Sequence, residues 1–371
     1  AVELTNSLRA DLESVVGARG LIAEPDELMV YECDGYTIAK SAPDAVVFPE
    51  STEQAAEVMK VLAAHGVPFV PRGAGTSLAG GTLPVEGGVF VSTARMKRIL
   101  EIDTRNRFAR VEAGVVNLHV THAVKGHDLH YAPDPSSQMA CTIGGNIGTN
   151  AGGPHTLKYG VTVNHTLGTT LVLPDGRIVR TGGVTEDSHG LDLTGCVVGS
   201  EGTFGLVTEV TVRLTRNPTT YRTMLGIFET VDDATQTVSD IIAAGIVPGA
   251  MEMMDKLILH AVEDAFHFGF PRDAEAVLIV ELDGLEAGID RLAARVVEIC
   301  KKNRARDVQF ASTDEQRAAV WKSRKRAFGA IGRLSPSYCT QDGVVPRTKL
   351  PDILRFIRAT AAKYELTIAN V

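Results

Sequence analysis

The amino-acid sequence predicts an α+β protein with two domains. Helical and strand patterns alternate along residues 1–216, and several glycine-rich segments interrupt them. Glycine becomes rarer after Asn217-Pro218, where a second alternation of strands and helices begins. Because 44% of the 371 residues are apolar, the chain can form a core in each of two domains. We therefore predict domains at residues 1–216 and 217–371.

Two helices are predicted early in the first domain. Ser51 and Gln54 have the spacing of a capping box at the start of the second helix. Apolar residues at helical spacing are Leu4, Leu8, Leu12 and Val15 in the first helix, and Ala55, Val58 and Leu62 in the second. Strands are predicted at residues 67–70, 88–92, 108–114 and 205–214. A hairpin is predicted at residues 171–182, because Asp175-Gly176 is a favoured turn pair.

The second domain repeats the alternation with longer elements. Strand patterns cover residues 221–228, 276–282 and 307–311, and helical patterns cover residues 232–244 and 286–302. This order predicts a sheet with helices on one face.

A further helix is predicted after residue 311. Two capping pairs fit its start: Ser312 with Glu315, or Thr313 with Gln316. Trp321, Arg324 and Phe328 have helical spacing and should share a face. Residues 366–371 have the pattern of a buried strand, so we expect this domain to be incomplete.

Composition and charge exclude several classes of protein. The formal net charge is −8, from 37 basic and 45 acidic residues, which does not indicate nucleic-acid binding. The first residues lack a basic stretch followed by an apolar one, and no window has the ~20 apolar residues of a membrane-spanning helix. We expect a cytoplasmic protein that would lie at the inner membrane only through a partner, without insertion.

Cysteine and histidine spacing does not indicate a metal site. Five widely spaced cysteines lack a Cys-x-x-Cys pair: Cys33, Cys141, Cys196, Cys300 and Cys339. We expect reduced, mostly buried thiols. A histidine cluster has no carboxylate or thiolate at ligand spacing: His119, His122, His127 and His130. A solvated helix and turn is therefore preferred to a metal site for this cluster.

Three glycine-rich segments are the most informative feature of the first domain. They read VPRGAGTSLAGG (70–81), CTIGGNIGTNAGGPHTLKYG (141–160) and GSEGTFGLVTEV (199–210). The first segment misses the Rossmann spacing, and no Gly-Lys-Ser/Thr follows it as in a P-loop. Backbone amides exposed by glycine suit an anion such as phosphate. Because three such segments imply a long ligand, we predict a dinucleotide cofactor.

The same segments resemble a known family. Together with APDPSS (132–137), they are similar to the FAD-binding domain of the glycolate oxidase large subunit and D-lactate dehydrogenase group, within the vanillyl-alcohol oxidase superfamily. MEMMD (251–255), WKSRKRAFGAIGRLSPSY (321–338) and QDGVVPRTKL (341–350) resemble the substrate domain of that group. The resemblance implies a two-subdomain FAD-binding domain of the PCMH type. An incomplete ferredoxin-like α+β substrate domain, the FAD-linked oxidase C-terminal domain, would follow it.

The resemblance assigns residues to an FAD site. Backbone amides of the first segment would surround the pyrophosphate, from Arg72, Gly73, Ala74, Gly75, Thr76 and Ser77, and Pro71 would also belong to the cofactor site. The isoalloxazine and ribityl groups would be lined by Pro133, Asp134, Gly144, Gly145, Asn146, Thr149, Asn150, Gly152 and Gly153. The pocket would be completed by Glu201, Gly202, Gly205 and Val207. Covalent members of the superfamily carry a histidine in the first segment, and its absence here implies dissociable FAD.

The resemblance also implies a reaction, the oxidation of a D-2-hydroxy acid by hydride transfer from C2 to flavin N5. Arg324 is either an exposed helix charge beside Lys322, Lys325 and Arg326 or a fork for the substrate carboxylate. Its alignment with Trp321 and Phe328 favours the second, and the resemblance implies the same role. Relatives specialised for D-2-hydroxyglutarate have a threonine and a lysine where this chain has Phe328 and Thr340, which favours glycolate or D-lactate. His155 is either a proton-transfer group that faces the flavin or a ring held in a turn by a backbone hydrogen bond.

The family's base and divalent-metal ligands occur in segments that would follow Val371. We therefore expect a divalent metal only in a longer, full-length protein, and little or no turnover by these residues alone. The alternatives are a non-catalytic flavin-binding subunit of a glycolate oxidase-like complex and a reductase of the enolpyruvyl-sugar type. Flavin and iron–sulfur subunits are the partners to expect for the enzyme itself, and the sequence leaves open whether they exist. The preferred acid and the electron acceptor stay open.

Overall fold

The computed structural model describes residues 4–185, 190–335 and 337–371. The chain divides into two compact units. Unit 1 contains Ala1–Gly153 and Gly160–Asn217, and unit 2 contains Pro154–Tyr159 and Pro218–Val371. A short segment that interrupts unit 1 in the sequence therefore belongs to unit 2. Pro336, within the segment that resembles the substrate domain, lies outside the described residues.

Unit 1 consists of short strands and helices. Its strands are β1 Leu21–Ile22, β2 Ala45–Val47, β3 Phe69–Arg72, β4 Val89–Ser92, β5 Ile99–Asp103, β6 Phe108–Glu112, β7 Leu129–His130, β8 Thr166–Val172, β9 Ile178–Gly182, β10 Leu206–Arg213 and β11 Thr215–Arg216. Its helices are α1 Asn6–Val16, α2 Pro25–Leu28, α3 Thr52–Ala64, α4 Asn117–Val124, α5 Ile143–Thr149 and α7 Leu193–Val197. The intervening helix, α6 Thr156–Tyr159, belongs to unit 2.

Two main sheets organise unit 1. The first has the order β1-β2-β4-β3, in which β4 pairs in parallel with both β2 and β3. Its core includes Leu12, Met59 and Val91, so α1 and α3 pack on it. The second sheet is antiparallel with the order β5-β6-β10-β8-β9, and Ile143 and Val210 belong to its core. β7 and β11 form a separate pair.

Local sequence signals account for several of these elements. Ser51 caps α3, because its Oγ accepts a hydrogen bond from the Gln54 amide at 3.2 Å. The Gln54 side chain accepts from the Glu50 amide at 2.8 Å, one residue before the expected reciprocal partner. The predicted hairpin is confirmed, with Val172 opposite Ile178 and Gly176 at a φ of +82° in the turn.

Unit 2 contains longer elements around one antiparallel sheet. Its strands are β12 Thr220–Phe228, β13 Ala250–Asp255, β14 Ala276–Gly284 and β15 Asp307–Phe310, in the order β13-β14-β12-β15. Besides α6, its helices are α8 Val231–Ala243, α9 Lys256–Phe266, α10 Glu286–Lys302, α11 Asp314–Lys325, α12 Ala327–Ile331 and α13 Leu350–Lys363. The sequence patterns did not predict β13, α9 and α13.

Helices cover both faces of this sheet, so the expectation of helices on one face is wrong. Along β14, Leu278 and Val280 pack with α8 and α10, whereas Val277 and Ile279 pack with α9 and Trp321. The sequence feature that indicates coverage of both faces is the continuous apolar run at the start of β14, which is typical of a strand buried on both sides.

Two further expectations for unit 2 are corrected by the structure. α11 ends at Lys325 and α12 begins after Arg326, so Phe328 does not share a continuous helical face with Trp321 and Arg324. Residues 366–371 form no strand and are exposed or half-buried.

The cysteines also differ from expectation. Cys141 and Cys300 are buried, Cys33 is half-buried, and Cys196 and Cys339 are exposed, so the thiols are not mostly buried. All five are free thiols.

Candidate functional site

The three glycine-rich segments meet within unit 1. A Cβ atom on Gly73 would lie 2.5 Å from Thr142 Oγ1, which places the first segment against the second. The Glu201 amide donates to the Gly148 carbonyl oxygen at 2.8 Å, which joins the second segment to the third. A Cβ atom on Gly202 would lie 2.7 Å from Pro71 Cγ, which joins the third to the first. The segments therefore form one continuous backbone surface.

The first segment exposes a run of unused hydrogen-bond donors. No amide of residues 73–78 donates to another group in the part of the chain that the structure describes. Buried or ligand-facing amides are normally paired, and a concave run of them attracts an anion. This segment therefore fits a pyrophosphate group by its backbone, and Gly75 provides the positive φ, +68°, that the turn requires.

Arg72 supports this segment from inside the unit. Its buried guanidinium donates to the Cys33 carbonyl oxygen at 2.8 Å and lies 5.1 Å from the centroid of the Phe90 ring. Burial lowers the pKa of Arg72, and the charge of Asp34 opposes that effect. A Cβ atom on Gly75 would lie 2.5 Å from Arg72 Nη2. The side chain is thus a support for the turn, a role that the glycine pattern could not indicate.

The second segment forms α5 and a turn after it. Thr142 caps α5 by accepting from the Gly145 amide at 3.2 Å, and Asn150 ends it in the left-handed region with φ +49°. A Cβ atom on Gly148 would meet no atom closer than 3.8 Å, so this side of α5 is open. Such a smooth glycine surface fits a flat ring system.

The predicted FAD residues all lie in unit 1. Those that are buried are Arg72, Pro133, Asn146 and Gly205. Those that are half-buried are Pro71, Gly73, Gly75, Thr76, Ser77, Asp134, Gly144, Gly145, Asn150, Gly152, Gly153, Gly202 and Val207. Those that are exposed are Ala74, Thr149 and Glu201.

Unit 2 contains a second polar centre, where α11 meets the sheet. Arg317, Trp321 and Arg324 lie one and two turns apart on α11, at i, i+4 and i+7. They contact two carboxylates of the sheet, Glu281 on β14 and Glu252 on β13. One helical face is therefore held by charge-assisted hydrogen bonds as well as by apolar packing.

Glu281 is the most densely bonded of these groups. Arg317 donates to it through Nε at 2.7 Å and Nη2 at 2.6 Å, Trp321 Nε1 donates at 2.6 Å, and Thr223 Oγ1 donates at 2.5 Å. Burial by itself would raise the pKa of Glu281, but the hydrogen bonds from His155 and Arg317 and the Arg317 charge lower it to about 2. Glu281 is therefore a buried carboxylate that stays ionised.

Arg324 has one occupied and one open side. Its Nε donates to Glu252 Oε2 at 2.7 Å, and both side chains are largely buried. Nη1 is buried and has no hydrogen-bond partner within the described residues. Glu252 belongs to the MEMMD segment, so the sequence pointed to this segment only through the family resemblance.

His155 lies in unit 2, in the segment that contains α6. Its Nε2 is 3.4 Å from Glu281 Oε1, and its ring centroid is 5.4 Å from that of Trp321. Its main-chain carbonyl oxygen also accepts from the Tyr159 amide at 3.0 Å, a bond of the turn that does not involve the ring. The structure thus brings His155 next to the residue that lies one turn before Arg324.

Asp283 holds the other end of the same segment. Lys158 Nζ lies 2.5 Å from Asp283 Oδ1, and the Tyr159 hydroxyl donates to Oδ2. Burial, followed by the hydrogen bond to Asp283, raises the pKa of Tyr159. Two carboxylates of β14, two residues apart, therefore bind one turn of helix.

No group of three or more His, Cys, Asp or Glu side chains that could hold a metal ion occurs in the described residues. Within the histidine cluster, the rings of His119 and His122 stack with centroids 6.4 Å apart, and His130 Nδ1 lies 2.9 Å from Asn217 Oδ1. Among the helices at residues 4–185, 190–335 and 337–371, none has the length and apolar character needed to cross a membrane.

Comparison with known families matches both parts of the chain. Residues 43–182 match the family described as FAD binding domain, and residues 217–371 match FAD linked oxidases, C-terminal domain.

Several named proteins are similar to this chain along most of their length. Glycolate oxidase subunit GlcD of Escherichia coli (strain K12) is 45% identical over 370 residues, which cover 100% of this chain and 74% of that protein. The Bacillus subtilis (strain 168) protein of the same name is 42% identical over 99% of this chain and 78% of its own length. D-lactate dehydrogenase of Anaerostipes hadrus is 30% identical over 93% of this chain and 73% of its own length.

Solved structures share the fold. An alkyldihydroxyacetonephosphate synthase superposes with a TM-score of 0.79 at 20% identity, covering 97% of this chain and 75% of that one. A p-cresol methylhydroxylase superposes with a TM-score of 0.73 at 18% identity, covering 88% of this chain and 71% of that one. The expected PCMH-type fold is confirmed by these similarities.

Proposed function

Because the chain belongs to the FAD-linked oxidase family, we propose that it binds FAD and uses it to oxidise a small D-2-hydroxy acid, glycolate or D-lactate, to the 2-oxo acid. The observation that carries the proposal is the meeting of three glycine-rich segments around a run of unused amides at residues 73–78. Such a surface suits a long anionic ligand with a flat ring.

In this proposal, residues 1–216 hold FAD and residues 217–371 hold the substrate. The first segment binds the pyrophosphate by its amides, and α5 with the third segment borders the flavin ring. The first segment has no histidine that could form a covalent link, so FAD is held without one. When bound, FAD accepts the hydride from C2 of the acid, and the residues of the chain orient the acid and move its hydroxyl proton.

Arg324 binds the substrate carboxylate, because a guanidinium recognises a carboxylate through two parallel hydrogen bonds. Phe328 and Thr340 offer no cation for a second carboxylate, which favours glycolate and D-lactate over a dicarboxylate. The family resemblance places the base in a segment that would follow Val371. Among the described residues, His155 is the candidate to receive the hydroxyl proton, and the neighbouring Glu281 carboxylate would stabilise the imidazolium that results.

The described residues do not fit a divalent metal, since no cluster of three or more ligand side chains occurs among them, and no step is derived through one. The expectation of a metal in a longer protein rests on the family resemblance. The relatives named as a subunit of glycolate oxidase support work within a complex. Flavin and iron–sulfur subunits as its partners, and a place at the inner membrane through one of them, rest on the family resemblance alone.

The test is an anaerobic visible spectrum of the purified chain, reconstituted with FAD, desalted and then given glycolate or D-lactate. Retained flavin that acid denaturation releases, together with bleaching of its long-wavelength band by one of the acids, supports the proposal. Bound flavin that both acids leave oxidised supports an FAD-binding domain whose base and metal ligands lie outside these residues, and it also fits the alternative of a non-catalytic flavin-binding subunit. Oxidation of added NADPH would instead support a nicotinamide-dependent reductase, and loss of all flavin on desalting contradicts the proposed FAD site.

A further inference from the structure

The contact between Arg324 and Glu252 divides the guanidinium into two parts. Nε is occupied, because it donates to Glu252 Oε2 at 2.7 Å. A planar guanidinium offers two edges for binding. One edge consists of Nε and one terminal nitrogen, and the other consists of the two terminal nitrogens, Nη1 and Nη2. A carboxylate bound at Nε alone leaves the edge made by Nη1 and Nη2, and neither nitrogen donates to a group in the described residues.

The open edge lacks an acceptor that its burial calls for. Nη1 is shielded from solvent without a partner, and a buried donor in that state is destabilising. The positive charge itself is balanced by Glu252, so the missing component is a hydrogen-bond acceptor at the terminal nitrogens. A carboxylate approaching end-on supplies two acceptor oxygens in the spacing of those nitrogens.

We propose that Glu252 is a positioning residue, which fixes Arg324 through Nε so that the terminal nitrogens face the substrate carboxylate. This inference rests on the proposed function, in which Arg324 is the carboxylate anchor. Glu252 has a fixed place because β13 pairs with β14 and puts it opposite Ile279, on the face that α11 covers. The hydrogen bond and the charge of Glu252 act in opposite directions on an anionic ligand. The bond orients Arg324, whereas the charge repels the ligand.

Two substitutions separate these effects. Glu252→Gln keeps an oxygen that accepts from Nε and removes the negative charge, whereas Glu252→Asp keeps the charge and shortens the side chain by one methylene. The probe is 2-hydroxy-2-methylpropanoate, a 2-hydroxy acid with no hydrogen on C2, so it binds without being oxidised. Its Kd for the FAD-loaded chain is measured by calorimetry, and thermal unfolding of each variant is recorded in parallel.

We expect Glu252→Gln to bind the probe as tightly as the wild type or more tightly, and Glu252→Asp to bind it about tenfold more weakly, since it loses the orienting bond. A purely structural ion pair would lower the unfolding temperature in both variants without separating their Kd values. That result would overturn the inference.

Arg324→Lys distinguishes failure of this inference from failure of the proposed function. Weaker binding in Arg324→Lys, with equal binding in both Glu252 variants, would support Arg324 as the carboxylate anchor and contradict the positioning role of Glu252. Unchanged binding in Arg324→Lys would instead show that Arg324 is not the anchor, which contradicts the proposed substrate site and the inference together.

Discussion

Replacing Glu281 by glutamine should destabilise unit 2 strongly. The pKa of this carboxyl is lowered from its ordinary 4.5 to about 2, and each pKa unit corresponds to ~1.36 kcal/mol. The ionised form therefore contributes about 3 kcal/mol to the free energy of unfolding at neutral pH. Removing one partner of a buried ion pair costs a similar amount, ~3–5 kcal/mol, and here the half-buried Arg317 charge would lose its fully buried carboxylate.

The sequence supplies its own reporter for this test. Trp321 is the only tryptophan in the chain, and its Nε1 donates to Glu281 at 2.6 Å. Urea unfolding followed by tryptophan fluorescence therefore reports on this network. A matched control is Glu275→Gln. Glu275 is half exposed, and within the described residues its side chain pairs only with Lys256, at 2.6 Å. We expect the control to change the unfolding free energy by less than about 1 kcal/mol.

The pH dependence gives an independent check of the same reasoning. Because folding lowers the pKa of Glu281, its contribution is present above about pH 4.5 and is lost as the pH falls toward 2. The difference between wild type and Glu281→Gln should therefore shrink across that interval. A loss below about 0.5 kcal/mol at neutral pH, or an equal loss in the Glu275 control, would refute the reasoning.

Two further predictions concern the glycine turn and the segment around α6. Gly75→Ala should raise the Kd for FAD about tenfold, because a Cβ atom there would meet Arg72 Nη2 at 2.5 Å. The control is Gly66→Ala, which should leave the Kd unchanged, because Gly66 has a similar φ of +65° and a Cβ atom there would meet no atom within 4 Å. Fluorescence titration with FAD measures both Kd values. Asp283→Asn should lower the pKa of Tyr159 toward its ordinary value, since the hydrogen bond to Asp283 is one cause of the raised pKa. Spectrophotometric titration of tyrosinate measures this pKa. An unchanged titration profile would contradict Asp283 as a cause.

Local patterns in the sequence predicted the α+β class and about half of the helices and strands, mostly the longer ones. Capping residues, the Asp175-Gly176 turn and period-two alternation in β10 are short-range signals, and the structure follows them. The sequence patterns did not predict β13 and α9, because the two elements adjoin without a loop between them. Asp255 ends the strand and caps the helix, because its Oδ1 accepts from the Ile258 amide at 3.1 Å, so no loop residue separates the two elements.

The polar centre of unit 2 could not be predicted in the same way. Glu281 and Arg317 are 36 residues apart, and Glu252 and Arg324 are 72 residues apart. Their pairing depends on the order of the strands in the sheet and on the seating of α11, which periodicity does not encode. Arg324 itself was identified from its helical spacing to Trp321 and from its resemblance to a family motif, and its role as a carboxylate anchor stays a prediction.

The segment Pro154–Tyr159 has a consequence for how the chain can be divided and synthesised. A fragment that starts at Pro218 would lack His155, Lys158 and Tyr159, so Glu281 and Asp283 would lose donors that they have in the intact chain. No single cut yields both units complete. The ribosome synthesises this segment before β14, the strand that binds it. About 130 further residues must be added before β14 is complete, which takes on the order of ten seconds.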